Sequence, residues 1–200
     1  MPRKANILQN TFPYHLINKT IDPEFFGVPL EELWAYGASL LNIVNKKYGL
    51  QTHAYVLMGN HFHLLASTPD SNIDRCMQFF QSRLALFISK HRTKSSIRFK
   101  GRFRASMIQN SAHFNTVLSY IYLNPVRAQL SDNPEDYPFS TLFELTKFGH
   151  SKINLFSHEL GQEIFEMSPE FLAKHIKSSP AVEFSNVIAR ALKEPVYKTS

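Results

Sequence analysis

Two β-rich segments joined by a Gly-Asn pair constrain the fold of this chain more than any other feature. The segments are Thr52–Met58 and His61–Ser67, and the pair Gly59-Asn60 between them suits a tight turn or a bulge. The pattern predicts two adjacent antiparallel strands. The segments on either side of this hairpin then decide the architecture.

Strand and helix periodicities alternate around the hairpin. Period-two alternation predicts strands, and apolar residues at three- and four-residue steps predict helices. The predicted elements are a strand at Phe12–Lys19, a helix at Leu30–Tyr48 ended by Gly49, a helix from Ile73 to Lys90, a strand at Phe103–Gln109, and a helix at Phe114–Leu123 with Ser111 as its N-cap. The order β-α-β-β-α-β-α predicts an α+β fold, a ferredoxin-like antiparallel sheet with helices packed on it.

The chain is long enough for one main domain and a modest addition. It has 200 residues, of which 44% are hydrophobic. A short helix is predicted at Ser140–Phe148, and two helical pieces follow at Glu159–Phe165 and Pro169–Ile176. We therefore predict a main domain at residues 1–148 and a helical C-terminal appendage of unknown role at residues 149–200.

The composition favours a polyanionic partner inside the cell. The net charge is +6, yet charged residues make up only 19% of the chain. The positive charge therefore comes from more basic than acidic residues and not from a highly charged composition. Charge alone leaves nucleic-acid binding open. Cys76 is the only cysteine, which excludes an intramolecular disulfide and a cysteine-based zinc site. No stretch approaches 18 apolar residues, so we expect a cytoplasmic protein without a membrane span.

A histidine pair in the predicted hairpin is a candidate metal site. His61 and His63 are two residues apart in a strand, so their imidazoles point to one face while Phe62 points to the other. Two imidazoles about 7 Å apart at the backbone can converge on one cation. Taken alone, the pattern fits a pair of histidines on a partly solvated sheet face better. A metal site needs a further ligand from elsewhere in the chain.

The last predicted helix contains a second candidate group. Tyr120 and Asn124 are four residues apart and share a helix face, whereas Tyr122 points away from it. A nearby metal would help a tyrosine to attack a phosphate, although isolated tyrosines at such a spacing are more often core residues. Pro125 is expected to end or kink the helix and to leave Asn124 accessible.

Basic residues are concentrated between the second helix and the fourth strand. Eight of the 22 Lys and Arg residues lie there: Arg83, Lys90, Arg92, Lys94, Arg98, Lys100, Arg102 and Arg104. Phe99 and Phe103 are interleaved with them. The window fits a surface that contacts phosphates and stacks bases, and it also fits a solvated connection whose phenylalanines belong to the core. The lopsided charge favours the phosphate-contacting surface.

Four ordered motifs resemble the REP-associated tyrosine transposases, relatives of the single-tyrosine HUH transposases of small insertion sequences. The motifs are VLMGNHFHLL (56–65), KGRFRAS (100–106), YIYLNPVRA (120–128) and DYPFST (136–141). The resemblance covers residues 12 to about 143. The chain departs from the family's pattern near Ile97-Arg98, where an aromatic residue is usual, and at Ser119, where an arginine is usual.

This resemblance implies a metal-dependent transposase that cuts and rejoins single-stranded DNA beside a hairpin. It implies Tyr120 as the nucleophile that forms a 5′-phosphotyrosine, and His61, His63 and Asn124 as ligands of Mg²⁺ or Mn²⁺. Lys100, Arg102, Arg104 and Arg127 are then expected to contact DNA. The resemblance leaves a monomer and a homodimer open.

Two other functions stay open from the sequence. One is a ferredoxin-like module that binds nucleic acid by stacking bases on sheet aromatics, although histidines occupy the central strands where such rings are needed. The other is a domesticated protein that binds DNA hairpins without cutting them. The presence of every expected catalytic residue does not exclude it.

Overall fold

A computed structural model describes residues 6–21, 25–91, 99–183 and 185–198. The strands are β1 (Tyr14–Lys19), β2 (Gln51–Leu57), β3 (His61–Ser67) and β4 (Arg104–Met107). The helices are α1 (Leu30–Tyr48), α2 (Ile73–His91), α3 (Ser111–Arg127), α4 (Thr141–Phe148), α5 (Gln162–Phe165), α6 (Pro169–Lys177) and α7 (Ser185–Ala191). Short 3₁₀ turns lie at Pro134–Asp136, Glu159–Gly161 and Pro180–Val182. Three residues of the basic window, Arg92, Lys94 and Arg98, fall outside the described ranges, as does Ile97.

The four strands form one antiparallel sheet in the order β2-β3-β1-β4. β1 lies between β3 and β4, and its register places Ile17 opposite His63 and Lys19 opposite His61. The predicted α+β fold with a ferredoxin-like antiparallel sheet is confirmed.

Helices cover both faces of the sheet. Strand alternation sends Leu16, Phe62 and Leu64 into a core with α1 and α2, while Val56 and Leu65 pack on the opposite face with α3 and the C-terminal helices. We call the second face the α3 face. His61 and His63 alternate with Phe62 and therefore lie on the α3 face.

The ends of α1 show why this segment is helical where the sequence predicts it. Glu31 and Glu32 occupy its first turn and Lys46 and Lys47 its last, which suits the helix dipole. Gly49 follows with φ of 71°, and its N–H donates to the Asn45 carbonyl. Glycine adopts this left-handed conformation without the penalty that a Cβ would bring.

The fourth strand and its aromatic residues differ from the prediction. β4 begins at Arg104 and not at Phe103. Phe103 is buried, and Phe99 packs against the core on the α1 side. The Phe103 ring therefore belongs to the core, while Phe99 packs against the core and stays partly exposed.

The C-terminal residues pack on the rest of the chain. Leu172, Ile176 and Ile188 join α3 in one hydrophobic cluster. Near the end, the Met107 N–H donates to the Pro195 carbonyl and the Tyr197 N–H donates to the Met107 carbonyl, both at 2.8 Å. Residues 195–197 thus lie along the outer edge of β4. The sequence did not predict α7, and the boundary after residue 148 stays a prediction. No helix in the described ranges has the length and apolarity to cross a bilayer.

Candidate functional site

His61 and His63 come together at the start of β3, next to the Gly59-Asn60 turn. Their ring centres are 5.1 Å apart. His61 is half-buried, and its Nδ1 lies 2.6 Å from Asn60 Oδ1. His63 is fully buried on the α3 face. The structure therefore brings the two predicted ligands to one place.

A third histidine, His15 on β1, adjoins this pair and was not predicted. Its Nε2 lies 2.8 Å from His63 Nδ1, and the side chain is 2% exposed. The two residues are 48 positions apart in sequence, so only the pairing of β1 with β3 reveals the contact. The sole signal in the sequence was a histidine inside an apolar strand.

Burial keeps these imidazoles neutral. It lowers the pKa of His15 to about 3, and burial together with the charge of Lys19 lowers the pKa of His61 to about 3. The pKa of His63 falls well below its usual value, mainly through burial and then through the neighbouring histidines, Lys19 and Arg127. Neutral imidazoles at pH 7 have the lone pairs that a metal needs.

Tyr120 on α3 lies over the histidines. Its ring centre is 5.8 Å from that of His63 and 6.2 Å from that of His15, with both pairs of rings edge to face. The guanidinium of Arg127 lies 5.3 Å from the Tyr120 ring centre. Tyr120 is mostly buried, with 7% of its surface exposed.

Tyr122 points elsewhere, as the helical spacing predicts. It is buried, and its hydroxyl lies 2.8 Å from Thr141 Oγ1. Burial raises the pKa of the Tyr122 phenol above its usual value. Tyr122 therefore serves as a core residue that joins α3 to the start of α4.

Asn124 is buried within α3, in contrast to the expectation that Pro125 would end or kink the helix and leave Asn124 accessible. The helix continues to Arg127 with Pro125 inside it. Pro125 has no N–H to donate to the Ile121 carbonyl. The Asn124 side-chain amide lies 3.4 Å from that carbonyl oxygen, and it also donates to the Tyr120 carbonyl at 2.7 Å. The amide nitrogen of Asn124 thus faces its own helix, and its Oδ1 is the atom left to bind a ligand.

The predicted ligands would suit a divalent cation that accepts both nitrogen and oxygen. In the described ranges there is no group of three or more His, Cys, Asp and Glu side chains that could hold a metal. The candidate set stays the one predicted from the sequence, two imidazoles and the Asn124 amide oxygen. Imidazole suits transition metals, and an amide oxygen suits Mg²⁺ and Mn²⁺. His63 is buried, which argues against a solvated histidine pair.

A basic pocket lies beside the site. It has a volume of about 190 Å³, and its lining includes Lys19, Lys100, Arg102 and Arg104. Arg102 forms an ion pair with Asp74. Burial and the charges of Arg104 and Lys100 lower the pKa of Lys19, which shows how closely these cations are grouped. The pocket brings together three of the four basic residues that were predicted to contact DNA, while the fourth, Arg127, lies against Tyr120.

Comparisons with known proteins bear on the fold. No protein-family model and no curated protein matches the chain. Its fold is similar to the solved structure of a REP-associated tyrosine transposase bound to a REP hairpin, with a TM-score of 0.63, 16% identity, and coverage of 78% of this chain and 92% of that one.

Two other solved structures align less well. A protein assigned as a transposase, from Deinococcus radiodurans, has a TM-score of 0.38 and 17% identity over 65% of this chain and 92% of that one. The tRNA(His) guanylyltransferase of Saccharomyces cerevisiae has a TM-score of 0.41 and 10% identity over 96% of this chain and 82% of that one. Neither supports an argument at that TM-score. By its similarity to the hairpin-bound structure, the chain has the α+β fold of a REP-associated tyrosine transposase.

Proposed function

We propose that this protein is a DNA strand transferase that cuts single-stranded DNA beside a hairpin through Tyr120. The observation that carries the proposal is the cluster of Tyr120, His61 and His63 on the α3 face, with a basic pocket beside it. A tyrosine, neutral imidazoles and grouped cations are what phosphoryl transfer through a covalent phosphotyrosine requires. The fold shared with a hairpin-bound transposase supports the same substrate class.

Each residue has a distinct part in the proposed reaction. Tyr120 Oη attacks the scissile phosphorus and gives its phenol proton to solvent. The bond between phosphorus and the 3′ oxygen of the cut strand breaks, and that oxygen takes up a proton from solvent. A 5′-phosphotyrosine remains, and a second 3′-OH reverses the step on a new strand. Arg127 beside Tyr120 attracts the phosphate. Mg²⁺ or Mn²⁺, when bound by His61, His63 and Asn124, would polarise the scissile phosphate.

The structure argues against base stacking on the sheet. Helices cover both sheet faces, and Phe62 on the central strand β3 is fully buried. A stacking module needs exposed rings on its central strands. The described strands offer none, so the hairpin-binding protein without cleavage activity is the alternative that a cleavage assay must distinguish.

An adduct assay tests the proposal directly. Hairpin DNA with single-stranded flanks, labelled at its 3′ end because that end stays with the 5′-phosphotyrosine, is incubated with the protein and Mn²⁺, denatured in SDS, and separated by electrophoresis. The expected result is a labelled protein–DNA adduct that disappears with Tyr120→Phe, because the ring is kept while the attacking oxygen is removed.

The matched control is Tyr122→Phe, two residues away on the same helix. It removes a buried hydroxyl that contacts Thr141 and should retain the adduct at a cost of about 1 kcal/mol in stability. An adduct that survives Tyr120→Phe and is lost with Tyr122→Phe would contradict the assignment of the nucleophile. Binding without any adduct from the unmodified protein would instead indicate a hairpin-binding protein.

A further inference from the structure

Each candidate histidine ligand has its Nδ1 atom engaged by a neighbouring side chain. Asn60 Oδ1 lies 2.6 Å from His61 Nδ1, and His15 Nε2 lies 2.8 Å from His63 Nδ1. An amide oxygen only accepts hydrogen bonds, so the hydrogen of His61 must be on Nδ1. Its Nε2 then keeps the lone pair with which an imidazole binds a cation.

The contact between His15 and His63 has two tautomeric solutions. If His15 Nε2–H donates, His63 carries its own hydrogen on Nε2 and has no lone pair there. If His63 Nδ1–H donates to His15 Nε2, His63 Nε2 is free for a cation. Only the second arrangement gives His61 and His63 the same metal-binding form.

The surroundings of His15 indicate that its imidazole is present for this hydrogen bond. The ring centres of His15 and His63 are 5.1 Å apart and their planes differ by 19°, so the two nitrogens meet edge to edge near a common plane. In the second arrangement His15 Nδ1 carries the hydrogen of that ring, and this atom is buried without a hydrogen-bond partner among the described residues, a cost that the arrangement must offset. An apolar side chain would fill this place without a buried unpaired nitrogen, so packing alone does not explain a histidine here.

We infer that His15 is a positioning residue that, with Asn60, holds His63 and His61 in the Nδ1–H tautomer and leaves both Nε2 atoms for the divalent metal. This inference rests on the proposed function, which supplies the metal. His15 acts only through His63, much as carboxylates and carbonyls fix the tautomer of metal-binding histidines elsewhere. Its place on β1, next to β3, keeps it fixed relative to the hairpin.

Two measurements test the inference, and the first needs no metal. Long-range ¹⁵N–¹H correlation spectra of the metal-free protein with labelled histidines should show His61 and His63 with hydrogen on Nδ1. The second is Mn²⁺ affinity, measured by electron paramagnetic resonance. His15→Leu should weaken Mn²⁺ binding about 10–100-fold. His15→Gln, which can place an amide oxygen near the position of Nε2, should restore most of the affinity and the Nδ1–H signal of His63.

The matched control is His53→Gln. His53 is also a buried sheet histidine, but it contacts Ser67 and the Phe156 carbonyl and neither candidate ligand. This change should leave Mn²⁺ affinity and the His63 tautomer unaltered. If His15→Leu does not fold, the wild-type spectrum and the Gln variant still decide the matter.

The outcomes separate this inference from the proposed function. Hydrogen on Nε2 of His63 in the metal-free protein, or equal Mn²⁺ affinity in wild type and His15→Leu, would overturn the role of His15 while leaving Tyr120 chemistry intact. If the wild type binds no Mn²⁺, the metal part of the proposed function fails. The His63 tautomer and its dependence on His15 would then still support or refute the hydrogen-bond arrangement.

Discussion

Neutralising the basic pocket should reduce the salt dependence of DNA binding by a fixed amount for each phosphate contact that is lost. Lys100→Gln with Arg104→Gln removes two cations that line the pocket beside His61. Each lost phosphate contact reduces the slope of log K against log salt by about 0.7 on a single strand and about 0.9 on a duplex. We therefore expect the slope to become shallower by about 1.4–1.8. When the salt concentration rises fourfold, the affinity of the wild type for a single strand should fall by a factor about seven times larger than that of the variant.

The assay is fluorescence anisotropy with labelled hairpin DNA at a series of salt concentrations. The control, Lys46→Gln with Lys47→Gln, removes the same total charge from the last turn of α1, which packs on the sheet face opposite α3. It should leave the slope nearly unchanged. Asp74→Asn should act in the opposite direction, because it releases Arg102 from its ion pair. Equal slopes for wild type and the pocket variant would remove Lys100 and Arg104 from the interface.

Two further predictions concern stability. Buried Glu144 accepts hydrogen bonds from Trp34, Ser151 and the Lys152 N–H. Glu144→Ala should therefore lower the free energy of unfolding by about 3 kcal/mol or more. Circular dichroism should show this as a fall in Tm of about 6–12 °C. Ser151→Ala, which removes one donor, should cost much less, and equal losses would contradict this account. Burial lowers the pKa of His53 to about 4 and of His15 to about 3, so below about pH 6.5 the unfolded chain takes up protons that the folded chain does not. Urea denaturation should show full stability above that pH and a loss approaching about 1.4 kcal/mol per pH unit for each histidine as the pH falls toward 4; a flat profile between pH 7 and 5 would refute the reasoning.

The sequence predicts the elements whose periodicity and end signals agree. α1 and β3 have the predicted bounds, Leu30–Tyr48 and His61–Ser67. The start of α3 differs by one residue, since Asn110 and not Ser111 is the N-cap and its side chain accepts from the His113 N–H. Two adjacent residues with similar capping ability cannot be ranked from composition alone.

The remaining differences arise from contacts between distant residues. Pro125 would break an isolated helix, but the Asn124 side chain turns back to the preceding carbonyls and the segment is buried beneath its neighbours. His15 finds His63 only through the sheet register. The ion pair of Arg102 with Asp74 likewise joins residues 28 positions apart, which no local pattern reveals.

The short stretch along β4 bears on how the protein can be shortened or tagged. Residues 195–197 form hydrogen bonds with the backbone N–H and carbonyl of Met107 on the outer edge of the sheet, and the side chain of Tyr197 is buried. A chain cut after residue 148 would expose this strand edge and the apolar side of α3 together. Open strand edges invite pairing with other molecules, so such a fragment would be prone to self-association. Purification handles that leave residues 195–197 in place are the better choice for measuring DNA binding.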